Sequence, residues 1–256
     1  VDKRRILILG GTAEARDLAA RLAGRTDLAV TLSLAGRTLD PAPQPVPVRS
    51  GGFGGAEGLA TYLRGEAIDL LIDATHPFAR QISANARAAS EATGIPLLRL
   101  ERLGWEETEG DRWERVASIP EAVAALGPEP HRVFLAIGRQ EAKAFDAAPQ
   151  HHYLVRSVDP VDPPLDAPHV EYLLARGPFP IEAEVELLRE RRIEMVVSKN
   201  SGGDATYGKI VAARILRLPV ILVERAAEGD GHQAGTVEEA LRLADHLLGA
   251  FRKRGV

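Results

Sequence analysis

Cysteine is absent from this sequence, which excludes disulfides, thiolate catalysis and zinc–sulfur sites. No apolar run approaches the ~18 residues of a membrane span, and no signal peptide precedes Ile6. These absences lead to the expectation of a cytoplasmic protein that does not engage a membrane. Lysine is scarce, occurring only at 3, 143, 199, 209 and 253, so 27 of the 32 basic residues are arginine. Arginine suits two-point binding of carboxylate or phosphate, although a GC-rich genome gives the same excess. A net charge of −4 argues against a broadly basic, nucleic-acid-binding surface. Histidine pairs with metal-ligand spacing are also missing. His151 and His152 are adjacent and would project oppositely from a strand, so no metal site is expected. What is there is ordinary for a globular protein: 256 residues, 45% hydrophobic and 27% charged. Such a chain can bury a sizeable core as one large domain or two small ones.

The strongest organising signal lies near the start. Ile6-Leu7-Ile8-Leu9 is four apolar residues in a row, the mark of a strand buried in a parallel sheet. Gly10-Gly11-Thr12 lets the backbone turn sharply, and Ala15, Leu18, Ala19 and Leu22 resume with helical spacing. A strand, a tight turn and a helix aim the helix N-terminus above the strand, an arrangement that favours a phosphate. The match to the dinucleotide fingerprint G-x-G-x-x-G is partial, with Thr12 for the second glycine and Ala15 for the third. Gly10, Gly11, Thr12, Ala13, Glu14 and Arg16 are the candidate cofactor ligands here. A strand–helix turn that binds nothing is the plain structural alternative.

The second strand, Leu28 to Ser33, runs into Leu34-Ala35-Gly36-Arg37. An Asp or Glu at this edge would select NAD by holding the ribose 2′-hydroxyl. Ser33, Gly36 and Arg37 stand there instead, which suits a 2′-phosphate and points to NADP. Prolines at 41, 43, 45 and 47 forbid a helix, and Val46 to Arg49 reads as a short third strand. Gly51 and Gly52, in Ser50-Gly51-Gly52-Phe53-Gly54-Gly55, would let backbone approach a ligand. A helix over Ala56 to Leu63 leads to a fourth strand, Asp69 to Asp73, and then to Ala74-Thr75-His76-Pro77. Pro77 suits the first helical position, and Phe78, Ile82, Ala86 and Ala89 share one face of the helix that follows. Thr75 and His76 are thus expected on the same sheet edge as the Gly10 turn, with His76 either functional or capping. Ile95 to Leu100 supplies a fifth strand.

Beyond Gly104 the alternation begins again. Strands are expected at Trp113–Ala117, Val133–Ile137, Tyr153–Val155, Val170–Ala175, Met195–Ser198 and Pro219–Glu224. Helices are expected at Pro120–Leu126, Arg139–Asp146, Ile181–Arg191, Tyr207–Leu216 and Thr236–Arg252. The pattern implies an α/β protein with two Rossmann-like, mainly parallel sheets, divided into 1–102 and 103–256. Polar turns follow several strands of the second half: Gly138-Arg139-Gln140, Arg176-Gly177-Pro178, and Ser198-Lys199-Asn200-Ser201-Gly202-Gly203. The last combines a cation, two side-chain donors and a glycine pair, which suits an anion. Tyr207 and Lys209 are two apart and do not share a helix face, so they are no Tyr-x-x-x-Lys dyad.

Taken together, the chain resembles the precorrin-6A reductase family of cobalamin biosynthesis. The resemblance rests on Gly10-Gly11-Thr12-x-Glu14-Ala15-Arg16, on Ala35-Gly36-Arg37, and on Asp73-Ala74-Thr75-His76-Pro77-Phe78-Ala79. Arg99-x-Glu101-Arg102-x-x-Trp105 and the Ser198 to Gly203 run complete it. The Asp73 and Ser198 runs are the specific ones, and Leu103 departs from the proline expected there. The resemblance implies a 1–102 domain that binds NADPH, a 103–256 domain that binds substrate, and an active site in a cleft between them. It implies hydride transfer to a polycarboxylate tetrapyrrole, converting precorrin-6A to precorrin-6B, with neighbouring pathway enzymes as candidate partners. Arg99, Arg102, Arg139, Arg176, Lys199, Asn200, Ser201, Gly202, Gly203 and Tyr207 become candidate substrate ligands. His76 and Lys199 become the candidate catalytic residues, with Tyr207 or water as other proton sources. Two competing readings are a reductase of another carboxylated small molecule and a non-catalytic nucleotide-sensing module. Two ligand-binding edges favour an enzyme over a sensor.

Overall fold

A computed structural model describes residues 3–36, 43–225 and 231–252. In chain order its elements are β1 (Arg4–Leu9), α1 (Ala13–Ala23), β2 (Leu28–Leu34), β3 (Val48–Ser50), α2 (Gly55–Gly65), β4 (Leu70–Asp73), α3 (Arg80–Thr93) and β5 (Leu97–Leu100). There follow β6 (Trp113–Val116), α4 (Ile119–Ala125), β7 (Arg132–Ala136), α5 (Arg139–Ala142), a 3₁₀ turn (Lys143–Ala147), β8 (His152–Ser157) and β9 (Val170–Leu174). The chain ends with α6 (Ile181–Glu190), β10 (Met195–Lys199), α7 (Gly208–Ile215), β11 (Val220–Val223), β12 (His232–Ala234) and α8 (Val237–Arg252).

The strands form two six-stranded sheets in the orders β12-β5-β4-β1-β2-β3 and β6-β11-β10-β7-β8-β9. Every pairing is parallel. The chain therefore is an α/β protein built on two Rossmann-like sheets, as its alternation implied. In the first sheet, Ile6 and Ile8 face one layer, with Ala15, Leu18 and Ala19 of α1 and Ala240 and Ala244 of α8. Leu7 and Leu9 face the other, with Leu59 and Leu63 of α2 and Ala86 and Ala89 of α3. Helices on both faces explain why β1 is apolar without alternation. In the second sheet, Phe134, Leu154, Val196, Val220 and Leu222 pack against Leu188 of α6, Ile210 and Ala213 of α7, and Trp105.

Two compact units follow the sheets: Val1–Leu103 with Glu228–Val256, and Gly104–Ala227. The expected division at 102/103 kept residues 228–256 in the second half; the structure returns them to the first. The cause is β5, whose outer edge pairs with β12, while α8 covers Leu98 and Leu100 through Val237, Leu247 and Leu248. Strand β12 has no sequence signature, because His232-Gln233-Ala234 is neither apolar nor β-branched. Two further differences are local. The expected Arg139–Asp146 helix is four residues of α-helix followed by the 3₁₀ turn. Helix α3 begins at Arg80 rather than at Pro77: Ala79 N–H donates to the His76 carbonyl at 2.7 Å, so residues 76–79 form a turn of their own. Among the described residues no helix is long and apolar enough to cross a membrane.

Candidate active site

The carboxyl edge of the first sheet has its topological switch point between β1 and β4, which leave the sheet in opposite directions and open a crevice. The Gly10 turn fills one side of it. Thr12 caps α1 by accepting the Ala15 N–H at 3.0 Å and donates its own hydroxyl to the Ala74 carbonyl at 2.9 Å. One side chain thus ties the turn to the loop after β4. Gly11 has φ +122°, and a Cβ there would meet nothing within 4 Å, so its backbone is open to a ligand. The first N–H groups of an α-helix have no intrahelical acceptor. Together with the open Gly11 they fit a pyrophosphate, with Ala13 exposed beside them. Glu14 is held by Arg102 at 2.6 Å, and Arg16 is exposed on α1.

Across the crevice, buried Asp73 organises the loop. One of its oxygens accepts the Thr75 N–H at 3.1 Å and the Thr75 hydroxyl at 2.6 Å. The other receives Arg99 at 3.1 Å, while Arg99 Nε donates to Glu101 at 2.7 Å. Arg99 was expected to hold substrate. Its guanidinium is enclosed between two carboxylates with 10% of the side chain exposed, and one of its contacts holds Asp73. His76 accepts the Phe78 N–H on Nδ1 at 3.2 Å, which puts the proton of the neutral ring on Nε2. The ring is half-buried, beside Thr75 and across from the Gly10 turn, as expected.

At the end of β2, Ser33 is buried and lies beside Arg49 of β3. Gly36 packs against the backbone of Gly51. Arg37 lies outside the described residues. Gly51 and Gly52 were expected to let the backbone approach a ligand; their carbonyls both accept from the Arg49 guanidinium. Arg49 is brought to the end of β2 by β3, its parallel neighbour, a pairing that no local pattern shows. What the sequence does show is a short strand ending in arginine before a run of four glycines.

The second sheet has its own switch point between β7 and β10. Gly138 and Arg139 open α5 there, and Lys199 ends β10. The Lys199 ammonium contacts the Glu141 carboxylate at 2.5 Å, a partner with no sequence signal. Asn200, expected as an anion ligand, is 3% exposed and acts as a clamp. It accepts the Trp105 N–H at 2.7 Å and donates to the Trp105 carbonyl at 3.2 Å and to Glu224 at 3.1 Å. Trp105 also donates its indole N–H to Gly203 at 2.9 Å. Ser201, Gly202 and Gly203 hence belong to a loop shaped by Trp105. Tyr207 packs at a tilt beside Trp105, with centroids 5.6 Å apart, and its hydroxyl accepts from Arg214 at 2.8 Å. Arg176 follows β9 and is exposed, and the next residues join the same loop through Phe179 N–H to Ala205 at 3.2 Å.

Two parallel sheets with switch-point edges, one carrying a glycine turn into a capped helix, define a Rossmann-like α/β protein of the ligand-binding class. The chain belongs to the precorrin-6x reductase CbiJ/CobK family, whose model matches residues 5–245. It is 56% identical to a precorrin-6A reductase of Sinorhizobium sp. over 97% of this chain and 95% of that one. It is 28% identical to a cobalt-precorrin-6A reductase of Priestia megaterium over 92% and 96%. A solved CobK precorrin-6A reductase superposes with a TM-score of 0.90 at 50% identity, covering 95% of this chain and 97% of that one.

Proposed function

We propose that this chain reduces precorrin-6A to precorrin-6B, with NADPH as the donor. The observation that carries the reading is the Gly10-Gly11-Thr12 turn, tied through Thr12 to the Ala74 carbonyl at the switch point of the first sheet, in a member of a reductase family. The cofactor supplies a hydride from nicotinamide C4. The chain's own part is binding and orientation. Gly10 to Glu14 and the α1 N-terminus would hold the pyrophosphate, Ser33 and the neighbouring turn would hold the ribose, and Thr75 and His76 would line the nicotinamide side. His76 Nε2 and the Lys199 ammonium are the proton-bearing groups for the reduced ring. Arg139, Arg176 and Lys199 are the cations for its carboxylates. The cobalt-free macrocycle is the better substrate, since identity is twofold higher to the precorrin-6A enzyme than to the cobalt-precorrin enzyme cited above.

The test is to mix the protein with NADPH and precorrin-6A and follow both the nicotinamide and tetrapyrrole absorbance. Loss of the nicotinamide band only when the macrocycle is present is the expected result. NADPH binding without turnover would leave a nucleotide sensor. Turnover of a smaller carboxylated compound in preference to the macrocycle would leave a different reductase.

A further inference from the structure

We propose that Arg49, on β3, reads the 2′-phosphate of the cofactor, with Ser33 as its neighbour. The proposal rests on the reading of the chain as an NADPH-dependent enzyme and adds to it the residue that sets the preference.

Three observations carry it. The first is position. Arg49 is paired in register with Ser33, and Nη1 lies 3.4 Å from the Ser33 hydroxyl. This is the carboxyl end of β2 and β3, where a dinucleotide fold places the adenosine ribose. The second is preorganisation. The guanidinium lies over Phe53, with Cζ 3.7 Å from the ring centroid, and 5.3 Å from that of Tyr62. Nη1 and Nη2 are held by the Gly51 and Gly52 carbonyls. The third is charge. All the described acceptors of Arg49 are neutral: two carbonyls and a hydroxyl, with no carboxylate among the described residues. Arg156 in the other sheet is the control. It too sits 3.7 Å over a phenylalanine, Phe179, but Glu184 neutralises it through two hydrogen bonds. A half-buried cation fixed in place and without an anion among the described residues suits an anion that arrives with a ligand. A guanidinium matches a phosphate with two parallel hydrogen bonds.

The test is isothermal titration of the whole chain with 2′,5′-ADP and 5′-AMP, repeated with NADPH and NADH, on the wild type, Arg49→Gln and Arg49→Lys. The wild type should prefer the 2′-phosphorylated member of each pair. Arg49→Gln should lose about ten- to a hundredfold for those members and leave 5′-AMP and NADH nearly unchanged. Arg49→Lys should fall between, since it keeps the charge without the planar fork; it carries the test alone should the glutamine variant fail to fold. Equal losses for both members of a pair would mean that Arg49 only holds the Gly51-Gly52 turn, and would overturn the proposal. A retained preference in Arg49→Gln would move recognition elsewhere and overturn it too, with the NADPH reading intact. A wild type without any preference would overturn the NADPH reading itself.

Discussion

The two sheets share one strand order but complete it from opposite ends of the chain. The sixth strand of the first is β12, reached after the whole second unit has been made; the sixth strand of the second is β6, made before the rest of its sheet. The likeness extends to detail. In each unit a glycine on or at the start of a helix lets a phenylalanine carbonyl come close. A Cβ on Gly58 would sit 1.7 Å from the Phe53 carbonyl oxygen, and one on Gly208 would sit 2.4 Å from that of Phe179. Each phenylalanine then carries an arginine on its ring. The units part at the next atom. In the second, cations are met by carboxylates: Arg156 by Glu184, Lys199 by Glu141, Arg214 by Asp111. In the first, Arg99 and Arg102 are likewise paired, but Arg49 donates only to two carbonyls and a hydroxyl among the described residues. A common scaffold thus carries one arginine with neutral partners in the first unit and its counterpart with a carboxylate in the second, a difference of the kind by which one fold hosts different sites.

The sharpest way to break this comparison is to remove the acid from the Arg156 pair. Glu184 is 3% exposed, so Glu184→Gln leaves a buried guanidinium over Phe134 and Phe179 without its counter-charge. Losing one partner of a buried pair costs about 3–5 kcal/mol. Arg49→Gln removes a half-buried cation that has no carboxylate partner among the described residues, and the same denaturation experiment should show a loss of under ~1 kcal/mol, as expected away from a buried ion pair. Equal losses in urea titrations would erase the distinction between a structural arginine and a ligand-reading one.

That distinction was only partly legible in the sequence. The β1–turn–α1 unit reads directly, because an apolar run, two glycines and a helical period agree on one structure. The strands of the second sheet read nearly as well. Strand β12 did not, since an edge strand pairs on one side only and does not need an apolar run. Nor did the return of α8 to the first unit, because an amphipathic period says which face is buried and not against what. The placement of His76 and the glycine turn on one sheet edge followed from local rules. Arg99 and Asn200 became candidate substrate ligands through the family resemblance; their long-range partners, Asp73 and Trp105, have no local signal in the sequence. Arg49 and Glu141 depend on which strands are neighbours, and sheet order is not written in any local pattern.

A smaller effect is expected where the second edge meets its ligand. Lys199 keeps 11% of its side chain exposed and is matched by Glu141. If it receives a tetrapyrrole carboxylate, Lys199→Ala loses a charged hydrogen bond worth roughly 1.5–3 kcal/mol and leaves Glu141 to repel the substrate. Macrocycle affinity should drop about tenfold or more, with NADPH affinity unchanged. Glu141→Gln should do the reverse, holding or raising that affinity. Unaltered substrate binding in Lys199→Ala would remove the residue from the site and make the pair a structural one, like Arg156 and Glu184.

The smallest effect concerns the opposite, amino-terminal edges. In the first unit that edge is closed by ion pairs, Arg4 to Asp69 at 2.6 Å and Arg5 to Glu66 at 3.7 Å. In the second it is closed by imidazoles: His131 stacks on His151, and His152 on His169 with centroids 4.1 Å apart. The His151 ring is fully enclosed and accepts the His131 N–H on Nδ1 at 3.2 Å. Burial first, and then the neighbouring His131, hold its pKa below the ordinary 6.5. His152 is lowered too, by desolvation and then by His169 and Arg132, against a smaller opposing pull from Glu194. The sign follows from linkage. Between the lowered folded pKa and 6.5 the unfolded chain binds more protons than the folded one. The contribution to stability is therefore complete above pH 6.5 and is lost as the pH falls below it. At the first unit's amino edge, His232 at the start of β12 is exposed rather than enclosed, so amide exchange, corrected for intrinsic rates, should accelerate at β7 and β8 between pH 7.5 and 5.5 more than at β1 and β4. Replacing His151 and His152 by glutamine should flatten the pH dependence of the melting temperature over the same interval. An unchanged slope in that variant would place the acid response elsewhere and leave the two amino edges equivalent.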